Sequence, residues 1–97
     1  MRDYALCYDN GKKYLFGGNK PEEAAKSCIS CIQKLMGSRC IIVDYHTECV
    51  EDDCYNIILN YFIEPPSSVY TKKIPPILTK TLRMYDMGEE KSYSITI

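Results

Sequence analysis

The stretch RCIIVDYHTECVEDDCYNIILNYFIE, residues 39–64, sets two strand-forming runs on either side of an acidic centre. In CYNIILNYFIE (54–64), Tyr55, Ile57, Leu59, Tyr61 and Ile63 fall on one face, with Asn56 and Asn60 on the other. That period of two marks a half-buried strand. Pro65 and Pro66 end it, because proline has no N–H to give to a sheet ladder. RCIIVDYH (39–46) is more continuously apolar, which predicts a strand buried on both faces. Between the two, TECVEDD (47–53) reads as an acidic connection with an irregular bulge at Cys49-Val50.

Outward from this pair, the N-terminal DYALCYDNGKKYLF (3–16) reads as a β-hairpin. Asn10-Gly11 supplies the positive backbone angles of a tight turn. Tyr4, Leu6 and Tyr8 alternate before it, and Tyr14 and Phe16 after it. NKPEEAAKSCISCIQKLMG (19–37) reads as a helix. Pro21 suits its first turn, and Glu22 and Glu23 suit the positive end of its dipole. Ala25, Cys28, Ile29, Ile32, Leu35 and Met36 recur at helical spacing, and Gly37 is a natural stop.

Toward the C-terminus, residues 65–76 form a loop bounded by two proline pairs. ILTKTLRMYDMG (77–88) fits either element. Ile77, Leu78, Leu82 and Tyr85 favour a short helix over 77–87, while Thr79 and Thr81 permit a strand. KSYSITI (91–97) alternates cleanly, with Tyr93, Ile95 and Ile97 on one face, and predicts a final strand. The expected order is β-β-α-β-β-(α)-β. This is a single α+β domain over residues 1–97, with a mainly antiparallel sheet of about five strands and one main helix packed on one face.

Composition narrows the function classes. The chain has 97 residues, 45% hydrophobic and 26% charged, with a net charge of −1. That balance gives no overall field for holding nucleic acid. The first ten residues lack the apolar run of a signal peptide, and no stretch approaches a membrane span. The expectation is a soluble, cytoplasmic protein that does not engage membranes. Six cysteines in such a chain are expected to be reduced. Nine tyrosines, two phenylalanines and no tryptophan suit half-buried strands and binding surfaces.

Three constellations could carry chemistry. Cys28-x-x-Cys31 with His46, Cys49 and Cys54 has spacing that zinc would accept. Against it, Cys28 and Cys31 fall mid-helix rather than in a tight turn, and Cys28 lies on the apolar face. The same position is too far from the helix start to stabilise a thiolate. His46 is the single histidine, which limits any Cys–His or serine triad chemistry. The second constellation is acidic: Asp44, Glu48, Glu51, Asp52, Asp53 and Glu64, with no lysine or arginine between them. It lacks the alternation and central glycine of a calcium-binding loop, so it reads first as a solvated strand connection. The third is basic: Lys72, Lys73, Lys80 and Arg83, flanked by Tyr70 and Tyr85. Aromatics among cations could hold a nucleotide or single-stranded nucleic acid, but no phosphate-cradling glycine loop accompanies them.

Known enzyme signatures are absent. The reading that follows is a small non-enzymatic protein that occupies a site on another protein and needs no cofactor. Its candidate contact residues are Glu48, Glu51, Asp52, Asp53, Tyr70, Lys72, Lys73, Lys80 and Arg83. Small size and plain chemistry suit an inhibitor or adaptor of the kind viruses and mobile elements encode, acting in a host cytoplasm. The alternatives are a zinc- or thiol-dependent protein using Cys28, Cys31, His46, Cys49 and Cys54, and a nucleotide or nucleic-acid binder. Strand 91–97, if it lies at a sheet edge, would also offer a homodimer contact.

Overall fold

The computed structural model describes residues 1–65 and 75–89. Five strands and one helix follow in the order β1 (Arg2–Cys7), β2 (Lys13–Gly18), α1 (Pro21–Met36), β3 (Cys40–Glu51), β4 (Cys54–Ile63) and β5 (Leu78–Glu89). They form one antiparallel sheet in the order β2-β1-β5-β4-β3. The α+β reading therefore holds.

Local signals act as expected in the first half of the chain. Gly11 takes a positive φ of 81° in the β1–β2 turn. The Asn10 side chain accepts a hydrogen bond from the Lys12 amide at 2.8 Å and tightens the same turn. At the start of α1, Pro21 needs no N–H partner, and the Glu23 carboxylate accepts from the Asn19 amide at 2.8 Å. Gly37 caps the far end with φ of 108°. Gln33 then ties that end to β3 by donating to the carbonyl oxygens of Cys40 and Gly37.

α1 leaves one edge of the sheet at β2 and delivers the chain to the opposite edge at β3, so it must cross a face. Ala24, Ala25, Cys28 and Ile32 of the helix are fully buried there. They meet Tyr4 and Leu6 of β1, Ile57 and Leu59 of β4, and Leu82 and Met84 of β5. Paired residues of antiparallel strands share a face, and here these six side chains all point toward the helix. Gly18 marks a close approach of α1 to β2. A Cβ there would lie 2.8 Å from the Ala24 backbone nitrogen.

Three expectations need correction. Residues 77–87 are not a helix; from Leu78 onward they belong to β5, the central strand, bonded to β1 on one side and β4 on the other. Leu82 and Met84, two apart, are buried, while Leu78 and Tyr85 are each 39% exposed. The period is two, and the helical spacing of Leu78, Leu82 and Tyr85 is incidental. Second, β3 is an edge strand rather than a doubly buried one. Ile42 and Tyr45 pack on the core, but Ile41 and Val43 are exposed. Third, the acidic connection is mostly strand: β3 runs to Glu51, and only Asp52 and Asp53 turn. The expected irregularity is present, since the pairing with β4 shifts between Cys49 and Glu51. Residues 91–97, expected to form a final strand, and most of the proline-bounded segment lie outside the described residues.

Candidate functional site

Glu51 pairs with Cys54, so Asp52 and Asp53 alone close the β3–β4 hairpin. Asp53 has φ of 59° and is the one non-glycine residue at positive φ among the described residues. Aspartate tolerates this region better than most side chains. The Asp53 carbonyl accepts from the Asp86 amide at 2.9 Å, which fixes the turn against β5. The hairpin is thus a firm extension of the sheet.

Its charge is one-sided. Asp44, Glu48, Glu51, Asp52 and Asp53 make no ion pair among the described residues, where the ion pairs are Arg2–Asp86 and Lys80–Asp9. Asp44 is held by the Asn60 amide at 2.6 Å, and Asn60 accepts from the Thr79 hydroxyl at 2.9 Å. Asp44, Glu48 and Glu51 sit opposite Asn60, Asn56 and Cys54, on the sheet face away from α1. No described element covers that face. Arg83 lies on it as well. Its Nε donates to Asn56 at 3.0 Å and its Nη1 to the Cys54 sulfur at 3.4 Å, and the bond to Cys54 pushes the guanidinium pKa further up.

A single cross-strand row on this face runs Leu15, Ala5, Tyr85, Cys54, Glu51. Leu15 is 67% exposed and Met87 61%. Beside the turn, Ala5, Cys54, Tyr85 and Met87 line a shallow hollow of about 350 Å³ together with Glu51, Asp52, Asp53 and Asp86 and with one cation, Lys13. A second, larger groove of about 680 Å³ lies on the other side of β3, between it and α1. Ile29, Gln33 and Lys34 of the helix and Ile42, Val43 and Tyr45 of the strand line it.

The residues singled out from sequence are now placed. Glu48, Glu51, Asp52, Asp53 and Arg83 converge on the hairpin end of the open face. Lys80 does not join them, because it points to the helix side, pairs with Asp9 and stands 5.5 Å from the Tyr8 ring centre. Its pKa is raised, first by the hydrogen bond to Asp9. Tyr70, Lys72 and Lys73 lie outside the described residues. Leu15, Met87, Val43 and Val50 were missed; Leu15 had a readable signal, being an apolar residue out of phase with Tyr14 and Phe16.

The proposed zinc ligands are dispersed. Cys28 is in the core beneath α1, and its Sγ donates to the Ala25 carbonyl at 3.1 Å. Burial pushes its pKa from 9.0 up to about 12. His46 pairs with Ile58 on the open face, whereas Cys49 pairs with Tyr55 on the helix face. Cys54 is buried under Arg83. Among the described residues no three His, Cys, Asp or Glu side chains stand close enough to hold an ion. The described cysteines form no disulfide, and no helix among the described residues is long and apolar enough to cross a membrane. No family model, curated protein or solved structure matches the chain.

Proposed function

We propose that the protein is a non-enzymatic binding module that engages another protein through the β3–β4 hairpin and the adjoining sheet face. The observation that carries this reading is the set of carboxylates on one firm hairpin, without ion pairs among the described residues, on a sheet face that also exposes Tyr85, Met87 and, at its far edge, Leu15. Protein interfaces combine an apolar centre with a charged rim, and the rim steers encounter. The complementary partner surface is apolar with a basic border. A site of this kind acts by covering what it binds, as an inhibitor or adaptor does. Nucleic acid is a poor match for the hairpin, because phosphates and carboxylates repel.

The test is site-specific photo-crosslinking in cells that express the protein naturally. A photoreactive residue at Glu51 should capture one protein, and excess wild-type protein should compete it away. The Glu48→Gln, Glu51→Gln, Asp52→Asn, Asp53→Asn variant should compete far less well. Asparagine keeps the left-handed turn at position 53 open, so the fold should persist. Equal capture from a probe at Lys12, away from the hairpin, would refute the assignment.

A further inference from the structure

The two edges of the sheet differ, and the difference bears on how a partner docks. β2 is six residues long, begins with Lys13 and ends in two glycines under the start of α1. β3 is twelve residues long and contains neither lysine nor proline. Natural edges are usually blunted by such residues, by bulges or by a covering element. β3 has bulges at Val43 and Val50, the residues skipped in its pairing with β4, and these interrupt the edge only at its two ends. Between them, Asp44 to Cys49 pair with Asn60 to Tyr55 in unbroken register. Among the described residues no strand pairs with the other side of this segment; the Thr47 hydroxyl donates to Glu22 of α1 at 3.5 Å.

We propose that this edge receives an extended segment of the partner protein as an added strand, with basic side chains on the open face and apolar ones on the helix side. The proposal rests on the binding-module reading and specifies its partner chemistry. Side chains of an added strand alternate between the two faces. On the open face they would stand beside Asp44 and Glu48, with Glu51 and Asp52 beyond, so cations are favoured there. On the helix side they would enter the groove lined by Ile29, Ile42, Val43 and Tyr45. Lys34 and Asp44 both border that groove, and Lys26 and Glu22 both border the neighbouring hollow beside Tyr45 and Thr47, so charges of opposite sign offset each other there and the apolar lining favours apolar side chains. Main-chain hydrogen bonds would provide affinity and the alternating side chains specificity. A second copy of this chain fits less well, since β3 against β3 sets acidic residues across from acidic residues.

The full-length protein can be titrated with a synthetic peptide in which lysine and valine alternate. One control has the same composition in two blocks; another replaces lysine with glutamate. The alternating peptide should bind saturably, shifting the amide resonances of residues 43–50 and of Ile29. With peptide roughly tenfold above its Kd, those β3 amides that do not bond to β4 should exchange about tenfold more slowly. Asp44→Asn with Glu48→Gln should weaken binding about tenfold, as two exposed charge contacts allow. N-methylation of alternate peptide residues should abolish binding for one set and spare it for the other. Equal binding of the block peptide, or of both N-methylated sets, would overturn strand addition. Saturable binding that shifts only residues 51–53, with β3 exchange unchanged, would overturn it while leaving the hairpin as a protein-binding site. A peptide-free dimer with slowed β3 exchange would assign the edge to a second copy and overturn the proposal. Failure of the alternating peptide together with empty crosslinking at Glu51 would remove both readings.

Discussion

Cys28 makes stability depend on pH in a way that can be calculated. Its side chain is fully buried, and burial raises its pKa from 9.0 to about 12, with a smaller opposing effect from backbone hydrogen bonding and a small rise from Cys31. The unfolded chain releases the thiol proton near pH 9, and the folded chain holds it. A raised folded-state pKa stabilises fully below the unfolded value and loses that contribution as pH climbs toward the folded value. Each pH unit between them removes about 1.4 kcal/mol. At about pH 10 the loss should be about 1.4 kcal/mol, and the whole gap corresponds to about 4 kcal/mol. Buried Tyr4 and half-buried Tyr8 and Tyr55, also raised by desolvation, act in the same direction at higher pH, so the comparison must be a difference. Cys28→Ala removes the thiol and leaves a small void, costing about 1 kcal/mol at neutral pH. Urea unfolding of both proteins under reductant should show this gap closing at about pH 9 to 10 and reversing above it. Parallel stability curves for the two proteins from about pH 7 to pH 10 would show that Cys28 is not shielded, and the packing of α1 on the sheet would be wrong.

Other outcomes follow from the same geometry. Gly18→Ala should destabilise by about 2 kcal/mol, because the new Cβ meets backbone at 2.8 Å, while Gly17→Ala meets only the Met1 side chain and should cost under about 1 kcal/mol by urea unfolding. Arg2→Met should cost about 2 kcal/mol and more than Asp86→Asn, because it takes the cation from a carboxylate that is 8% exposed and leaves it the Gly88 amide at 2.8 Å, whereas asparagine keeps the shape and a hydrogen bond. Asp53→Gly should be neutral or stabilise by up to about 1 kcal/mol, and Asp53→Val should destabilise by a similar amount, since φ of 59° strains a branched residue. Under native conditions iodoacetamide should modify exposed Cys49 well before Cys28, with modified peptides read by mass spectrometry; Cys28→Ser should lose only about 1 kcal/mol, because a serine hydroxyl can still donate to the Ala25 carbonyl.

What the sequence determines by itself is what neighbours along the chain can fix. Asn10-Gly11 sets the first hairpin, Pro21 and Gly37 bound the helix, and the period-two run from Tyr55 to Ile63 names β4 and its buried face. The acidic character of 44–53 was equally plain, and so was the break at Cys49-Val50. Tertiary pairing decided the rest. Residues 78–89 carry apolar side chains that fit two periods, and only the vacancy between β1 and β4, with ladder bonds on both sides, makes them a strand. The same insertion pushes β3 to the edge, because α1 must carry the chain across three intervening strands after β2. Ile41 and Val43 are therefore exposed although their run reads as core. The candidate surface is likewise non-local: Leu15, Tyr85 and Glu51 share one row only because strands from three parts of the chain lie in register, and backbone hydrogen bonds between distant segments leave no local mark on the sequence.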